Sequence, residues 1–369
     1  MLKRFHLVIG LIFSVTLVSL TVNKDKGPVI PTGPYLLSYP PGFGNRINLP
    51  TDRLLTKQEV YLGRMLFYET KLSVTNTISC ASCHQQALAF TDGKKFSTGV
   101  DGTLTKRNSM SLTNMLWVRN FFWDGRSTSL EEQAKTPMTD PHEMGQSLEV
   151  SAQKLQQTKL YPSVFKLAFG TDSITGERII KAITQFERTL ITAHSPYDQY
   201  LEGTYQPTAQ ELNGMRLFST GPSPDKKIRG GNCIHCHSLP KTSSELFHNN
   251  GLDRVAVDLG REQFTGQAID RGRFRVPTLR NSMLTSPYMH DGRFTTLKEV
   301  VDHYNDHIQP SSTLSPFITE STNEVNGKSL LLTQTEKDDI ISFLRMLTDS
   351  TFITNPEFSN PHLLKISIK

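Results

Sequence analysis

The sequence predicts a mostly α-helical chain made of two similar halves. Helix-start signals are frequent along the 369 residues, whereas strand signals are few. The pattern Cys-x-x-Cys-His occurs twice, at 80–84 and at 233–237. Short stretches around the first copy recur in the same order around the second copy, which is typical of an internal duplication.

Each Cys-x-x-Cys-His motif matches the attachment sequence of a c-type haem. Two thiols bind the two vinyl groups of one porphyrin, and the histidine that follows ligates the iron. The four cysteines of the chain all lie in these motifs, which consist of Cys80, Cys83 and His84 and of Cys233, Cys236 and His237. We therefore predict two covalently bound haem c groups, with both histidines as proximal iron ligands, in two cytochrome c-like domains.

Other uses of paired cysteines explain the motifs less well. A zinc site would use the four thiols but leaves unexplained the histidine that follows each pair. A thioredoxin-type redox pair requires a βαβ context, which neither motif has. Disulfides are compatible with an exported chain, but a bridge across two residues constrains very little of the fold.

The first residues indicate export. Residues 1–22 join two basic residues, Lys3 and Arg4, to an apolar run, as a secretory signal peptide does, but no A-x-A cleavage site follows. An uncleaved N-terminal anchor is the alternative. Export agrees with the haem motifs, because haem is attached to c-type cytochromes outside the bacterial cytoplasm. We expect a periplasmic protein that is soluble or tethered to the membrane.

The length of the chain fits two domains, each with its own core. The net charge of +5 is mild for this length and gives no indication of a nucleic-acid partner. We predict a signal peptide or anchor over 1–22, a proline-rich linker or arm over 23–50, haem domains over 51–200 and 201–350, and a C-terminal tail over 351–369.

Capping sequences predict where the helices begin. A Ser or Thr followed three residues later by Glu is the signature of a capped helix start. This signature predicts starts at Thr56, Ser129, Thr208, Thr296 and Thr333, with the last helix reaching about Leu347. Apolar residues at helical spacing predict a further helix over 177–192, whereas the glycine- and threonine-rich residues 91–106 predict a loop.

Four matches between the halves support the duplication. They pair Leu66-Phe67 with Leu217-Phe218, Arg107-Asn108-Ser109-Met110 with Arg280-Asn281-Ser282-Met283, Trp123-Asp124-Gly125-Arg126 with His290-Asp291-Gly292-Arg293, and the helix-start residue Leu130 with Leu297. Each match lies on the same side of its Cys-x-x-Cys-His motif in both halves.

The alignment also exposes a difference between the two haem sites. One helix face carries Leu130, Gln133, Ala134 and Pro137, and the matching face carries Leu297, Val300, Val301 and Tyr304. If these helices cover the distal side of each haem, Tyr304 can ligate iron as a phenolate, whereas Pro137 has no ligating side chain. We expect an open first haem and a six-coordinate second haem. The alternative use of Tyr304 is as a packed core residue.

Two polar residues of the first half are candidates for peroxide chemistry. An open haem that cleaves peroxide needs a group that moves a proton between the two oxygens and a donor that polarises the O–O bond. Glu143 and Gln133 are suitable side chains, and the second half has Val300 where the first has Gln133. The alternatives are a surface carboxylate and an amide on an exposed helix face.

These features together resemble the bacterial di-haem cytochrome c peroxidases, including their MauG-like subgroup, over about 60–345. The matching stretches are LGRMLFYETKLS, ISCASCH, FFWDGR, LEEQAKTPM, NCIHCH, FHNNGL and RFRVPTLRNSMLTSPYMHDGRFTTLKEVVDHYN. The resemblance implies that the N-terminal haem is peroxidatic and that the C-terminal haem receives electrons. It places Trp123 between the haems, and Gln133, Pro137 and Glu143 in the peroxidatic distal pocket.

The resemblance further implies one calcium ion. Its ligands would be the side chain of Asn108 and the backbone carbonyls of Thr285 and Pro287, and oxygen ligands are those that Ca²⁺ prefers. His290 and Arg275 match residues near the second haem and the calcium.

Two departures from typical peroxidases resemble MauG. Typical members carry a distal histidine in the loop after the first haem motif, and the corresponding residues 85–107 contain none. Typical members also ligate the second haem with methionine, at the position of Tyr304. Other residues that could ligate the second haem are Met283, Met289, His303 and His307.

The expected activity is reduction of H2O2 to water at the first haem. Electrons would come through the second haem from a small redox protein, either a c-type cytochrome or a cupredoxin. The first alternative is a MauG-like oxidase that uses peroxide to oxidise a protein substrate. Alternatives of other classes are a non-enzymatic di-haem electron-transfer cytochrome and a haem-based sensor. A homodimer is left open.

Overall fold

The computed structural model describes residues 30–49 and 54–363. The predicted signal peptide or anchor over 1–22 lies outside these residues. Within them, no helix is long and apolar enough to cross a membrane. The helices are α1 (Lys57–Phe67), α2 (Cys80–Cys83), α3 (Leu130–Thr139), α4 (Leu148–Gln156), α5 (Tyr161–Phe169), α6 (Gly176–Arg188), α7 (Pro196–Leu201), α8 (Ala209–Ser219), α9 (Glu262–Thr265), α10 (Leu297–Asp306), α11 (Pro316–Thr319), α12 (Gln334–Met346) and α13 (Ser350–Thr354). Two short strands, β1 (Phe247–His248) and β2 (Phe274–Arg275), pair antiparallel.

The capping sequences predicted five helix starts correctly. At α1, α3, α8, α10 and α12 the predicted Ser or Thr is the N-cap, and its side chain accepts a hydrogen bond from the backbone N–H three residues later. The helix predicted over 177–192 ends earlier, at Arg188. The residues after Arg188 leave the helix because they bond to Asn114 instead. The backbone N–H of Asn114 donates to the carbonyl of Leu190, and its Oδ1 accepts from the N–H of Thr192. The mostly helical fold is thus confirmed.

A close helix crossing organises each half. In the first half α1 crosses α6, and in the second half α8 crosses α12. A Cβ atom on Gly63 would lie 1.8 Å from the carbonyl oxygen of Ala182, and one on Gly214 would lie 1.9 Å from that of Asp339. Both glycines stand three residues before the repeated Leu-Phe pair. Glycine at the crossing lets the helix backbones touch, and this device is duplicated with the domain.

One predicted match between the halves is wrong. The counterpart of Asn281 is Asn114 and not Asn108, because Asn114 and Asn281 both adopt the left-handed conformation, with φ of 60° and 61°, at the start of a short 3-10 helix. Their backbone N–H groups donate to the carbonyls of Leu190 and Leu347, and their Oδ1 atoms accept from the N–H groups of Thr192 and Asp349. The two Arg-Asn-Ser-Met stretches are therefore identical in sequence but not structurally equivalent.

Segments outside the two helix crossings tie the halves together. In the N-terminal arm, Phe43 packs edge-on against Trp117 of the first half, and the guanidinium of Arg280 from the second half lies 4.8 Å from the centroid of the Phe43 ring. In the segment predicted as a C-terminal tail, Phe352 and Phe358 pack into the core of the first half. The chain therefore returns to its first half after completing the second. The predicted domain boundaries remain predictions.

Candidate functional site

The two motif histidines are held in the form that binds iron. His84 Nδ1 donates to the carbonyl of Phe90 over 2.8 Å, and His237 Nδ1 is 3.2 Å from the carbonyl of Thr242 and 3.1 Å from that of Pro277. A carbonyl only accepts, so Nδ1 carries the proton and Nε2 keeps its lone pair for a metal. Burial lowers the pKa of His84, and lowers that of His237 to about 4, so both rings are neutral at pH 7.

The four cysteines are suited to neutral thioether bonds. None of them forms a disulfide, and all are partly buried. Burial raises the pKa of each, to about 12 for Cys233 and about 11 for Cys236. In the described part of the chain, no group of three or more His, Cys, Asp or Glu side chains could hold a metal ion. The zinc alternative therefore lacks a ligand set.

A cavity of about 280 Å³ adjoins the second motif. Cys233, Cys236, His237 and Tyr304 all line it, with mostly apolar walls. The phenol oxygen of Tyr304 accepts a hydrogen bond from Asn250 Nδ2 over 3.2 Å. Burial raises the pKa of Tyr304 to about 12, whereas the bond from Asn250 lowers it. A ferric iron beside the phenol is the kind of charge that would favour phenolate.

The other candidate ligands of the second haem are less well placed. His303 Nε2 lies 3.0 Å from the carbonyl of Asn250, and the side chain of His307 is 69% exposed. Among the candidates, Tyr304 and Met289 line the cavity, whereas Met283 does not. Met289 Sδ accepts a bond from Asn250 Nδ2 at 3.4 Å. Of the candidate ligands of the second haem, the geometry therefore favours Tyr304 and Met289.

Arg275 shows that the cavity suits an anionic cofactor. Its side chain is buried and lines the cavity, and its Nε has no hydrogen-bond partner among residues 30–49 and 54–363. Its Nη2 contacts the sulfur of Met110 at 3.7 Å. Burial lowers the pKa of Arg275 and the charge of Glu245 raises it, but no carboxylate of the described residues forms an ion pair with this buried guanidinium. A haem propionate would supply that carboxylate, so the residues of this cavity fit a haem.

A chain of hydrogen bonds joins the halves at the same cavity. Trp123 Nε1 donates to the carbonyl of Asn108 over 2.8 Å, and the N–H of Asn108 donates to the carbonyl of His290 over 2.7 Å. The His290 ring stacks on Phe274 with centroids 3.7 Å apart. All four residues line the cavity, as do Thr285 and Pro287. The residues predicted to bind calcium therefore line the same cavity as Trp123.

Glu143 is held close to Pro137 in the first half. The N–H of Met144 donates to the carbonyl of Pro137 over 3.0 Å, and the carbonyl of Glu143 accepts from Val100 over 2.9 Å. A Cβ atom on Gly99 would lie 1.7 Å from the carbonyl oxygen of His142, so this loop packs tightly on the segment that carries Glu143. Burial raises the pKa of Glu143, Asp140 raises it further, and Arg126 lowers it.

The helix that carries Gln133 and Pro137 lies against the first motif. Ala134 and Met138 belong to a core cluster against which Cys80 packs. Burial raises the pKa of Cys83, with Ser97 lowering it and the charges of Asp92 and Glu143 raising it further. Leu130, Gln133, Ala134 and Pro137 alternate between buried and partly buried, and so do Leu297, Val300, Val301 and Tyr304. Pro137 and Tyr304 therefore occupy equivalent places.

Comparison with known proteins identifies the family. Residues 57–206 match the family model of di-haem cytochrome c peroxidases. The chain is 31% identical to the methylamine utilization protein MauG of Methylophilus methylotrophus over 302 residues, which cover 82% of this chain and 85% of that protein. It is 34% identical to the cytochrome c551 peroxidase of Nitrosomonas europaea over 310 residues, covering 82% of each. The chain belongs to the di-haem cytochrome c peroxidase family.

A solved structure agrees with this assignment. A MauG-like protein associated with microbial copper homeostasis is 33% identical, with a TM-score of 0.77, and the match covers 87% of this chain and 97% of that one. This chain is therefore a peroxidase-type oxidoreductase with two haem c groups. Its two duplicated domains have the fold of the family.

Sequence reasoning missed some of the residues that shape these di-haem sites. Asn250 lies in the stretch FHNNGL, but its partner Tyr304 is 54 residues away in the sequence. The carbonyl acceptors of the two motif histidines are backbone atoms, which carry no sequence signal. Gly63 and Gly214 had a signal, because each precedes the repeated Leu-Phe pair at the same spacing.

Proposed function

We propose that this chain reduces H2O2 to water at its N-terminal haem, with electrons supplied through its C-terminal haem. The observation that supports the proposal is the pairing of Pro137 with Tyr304 on equivalent helix faces, because tyrosine has a side chain that can ligate iron and proline has none. Bound haem supplies an iron that can accept peroxide and exchange electrons. The remaining chemistry belongs to the side chains around it.

Glu143 is the proposed proton-transfer group. Its partly buried carboxyl has a raised pKa, and its charge reaches the Cys83 thiol of the first motif. A carboxyl group with a pKa closer to neutrality takes up and returns a proton more readily near pH 7. Gln133, on the same helix face as Pro137, would donate its amide N–H to polarise the peroxide O–O bond.

Tyr304 and Trp123 are the proposed electronic elements. Tyr304 would ligate the second iron, and its bond from Asn250 holds the phenol oxygen inside the cavity. Phenolate ligation favours ferric iron, so the second haem would have a low potential. The indole of Trp123 is fixed by its bond to Asn108. Trp123 is therefore a suitable relay between the halves.

A calcium ion is the proposed structural partner of this junction. Asn108, Thr285 and Pro287 line one cavity, and the amide nitrogen of Asn108 donates to the carbonyl of Lys94 over 2.8 Å. The side-chain oxygen of Asn108 and the two backbone carbonyls are ligands of the type that Ca²⁺ takes. The ion would fix Asn108 and through it Trp123.

A second candidate function is oxidation of a protein substrate with peroxide. Tyr304 and the absence of histidine from residues 85–107 favour it, because both are features of MauG rather than of typical peroxidases. These positions set haem electronics and do not identify a substrate. The proposed setting for either function is the periplasm, with a small c-type cytochrome or cupredoxin as electron donor in the first case.

Steady-state peroxide consumption separates these functions. The oxidised, haem-loaded protein is given H2O2 and a reduced small cytochrome, without prior reduction. Rapid consumption supports the peroxidase. A fast optical change with little consumption supports the oxidase that holds its oxidising equivalents for a protein. No response contradicts both and favours a non-enzymatic electron carrier.

A further inference from the structure

The last turn of α6 carries a carboxyl group that the proposed function does not use. Glu187 is 4% exposed, and its Oε2 has no hydrogen-bond partner in the described residues. The neighbouring Arg188 does not pair with it. Arg188 Nη2 binds Glu131 over 2.8 Å, and its Nε donates to the carbonyl of Asn48 over 2.8 Å. Glu187 is therefore a buried acid without a counter-charge of its own.

This acid lies beside the first haem motif. Phe186 and Leu190, on either side of Glu187 in the sequence, belong to a core cluster against which Cys80 and Ala81 pack. The pKa of the Cys80 thiol is raised by burial and then by the charge of Glu187. The carboxyl group is thus close to the point where the first haem would be attached.

The second half has no such acid. Helices α6 and α12 occupy equivalent places, because Gly63 meets the carbonyl of Ala182 as Gly214 meets that of Asp339, and the carbonyls of Leu190 and Leu347 accept equivalent bonds. The same spacing pairs Glu187 with Leu344, which is buried and apolar. The buried carboxyl group therefore distinguishes the environment of the first haem from that of the second.

The charges around Glu187 do not offset the effect of burial on its pKa. Arg188 on α6 lowers its pKa and Glu131 on α3 raises it, but burial is the largest influence and brings the pKa to about 8. Helix α1 carries one acid, Glu59, which is buried and accepts from Thr56, and two bases, Lys57 and Arg64, and none of the three is among the groups that shift the pKa of Glu187. The 3-10 helix Met115–Trp117 has no titratable group, and α4 meets α6 at its far end, where Leu148 contacts Gly176. Glu187 is thus a neutral acid near pH 7.

We propose that Glu187 is the redox-linked proton site of the N-terminal haem. The carboxylate takes one proton from solvent when the haem gains one electron, and the acid returns that proton when the haem loses the electron. The physical reason is that the extra positive charge of ferric haem favours carboxylate and lowers its pKa, whereas ferrous haem does not. The inference requires a haem at Cys80 but not peroxide turnover.

Redox titration of the haem-loaded protein at several pH values between about 6 and 9 tests this coupling. The midpoint potential of the N-terminal haem should fall as pH rises toward about 8, approaching a tenfold change in the reduction equilibrium per pH unit, or about 59 mV, and should level off above the pKa of about 8. In E187Q this slope should be lost. The control E177Q, at the exposed start of the same helix, should keep it. The slope of the C-terminal haem should be the same in all three proteins.

A slope in E187Q equal to that of the unmodified protein would overturn the inference, and so would a pH-independent N-terminal haem in the unmodified protein. E187D, which keeps an acid, should retain a slope. Infrared difference spectra between reduced and oxidised protein should show a protonated carboxyl band that E187Q lacks. Peroxide consumption is measured separately. If E187Q loses the slope but the unmodified protein never consumes peroxide, only the proposed function is contradicted. If E187Q keeps the slope and the unmodified protein consumes peroxide, only this inference is contradicted.

Discussion

Asn250 donates a hydrogen bond from its amide nitrogen to the phenol oxygen of Tyr304 over 3.2 Å. The two side chains line the cavity that also contains His237. The bond holds the tyrosine oxygen toward the cavity instead of toward solvent, and it lowers the pKa of the phenol against the effect of burial. Both effects suit Tyr304 to its proposed role as an iron ligand of the second haem.

Replacing Tyr304 by phenylalanine should remove the sixth ligand of the second haem. The low-spin ferric signal should decrease and the optical spectrum should change, because phenylalanine cannot coordinate iron. The matched control is Y288F, since Tyr288 lines the same cavity and donates instead to the carbonyl of Ser282. A spectrum that is identical in Y304F and the unmodified protein would exclude Tyr304 as ligand and leave Met289.

Replacing Glu143 by glutamine should slow the reaction with peroxide by roughly 10²-fold or more, the usual effect of a positioned proton-transfer group. The raised pKa of Glu143 also sets a pH dependence. The carboxylate acts as the base, so the rate should fall as pH decreases through this raised pKa, at higher pH than an ordinary glutamate would give.

Stopped-flow mixing of the oxidised protein with H2O2 measures this rate. E149Q is the control, because Glu149 is an exposed carboxylate at the start of the neighbouring helix α4. Equal rates for E143Q and the control would show that Glu143 has no catalytic role.

Placing alanine at Gly63 or Gly214 should destabilise the fold. The new methyl groups would overlap backbone carbonyls at 1.8 and 1.9 Å, so the crossing helices must separate. Such overpacking costs about 1–3 kcal/mol. Thermal unfolding should show a lowered midpoint for both variants. The midpoint of G42A should be unchanged, because its added carbon would meet only Pro240 Cγ at 3.5 Å. Unchanged midpoints would mean that the crossings are not tight.

The buried acid Glu187 should make stability depend on pH. Its folded-state pKa is raised by burial above the unfolded value of about 4.3, so its protonated form is favoured in the folded protein. That contribution is complete below the unfolded pKa and is lost as pH rises through the folded pKa of about 8. Chemical unfolding of the protein with its haems reduced should therefore show the unmodified protein losing stability relative to E187Q between about pH 4 and 8. A constant difference across this range would contradict it.

Local patterns account for what could be predicted from the sequence. The haem motifs and the helix caps depend on residues a few positions apart, and their spacing is directly visible in the sequence. The pairing of Pro137 with Tyr304 follows from aligning such local motifs between the two halves. The bond from Asn250 to Tyr304 and the approach of Glu187 to Cys80 depend on tertiary packing, which no local pattern records. A local pattern can also mislead. Asn108 and Asn281 lie in identical four-residue stretches, but it is Asn114 that has the same backbone conformation as Asn281.

The measurement that tests the central claim most directly is the electron paramagnetic resonance spectrum of the fully oxidised protein with both haems attached. The pairing of Pro137 with Tyr304 predicts one high-spin ferric haem and one low-spin ferric haem in equal amounts, because one distal side is open and the other is ligated. Two low-spin haems would contradict the account, since the first haem would then have no open position for peroxide.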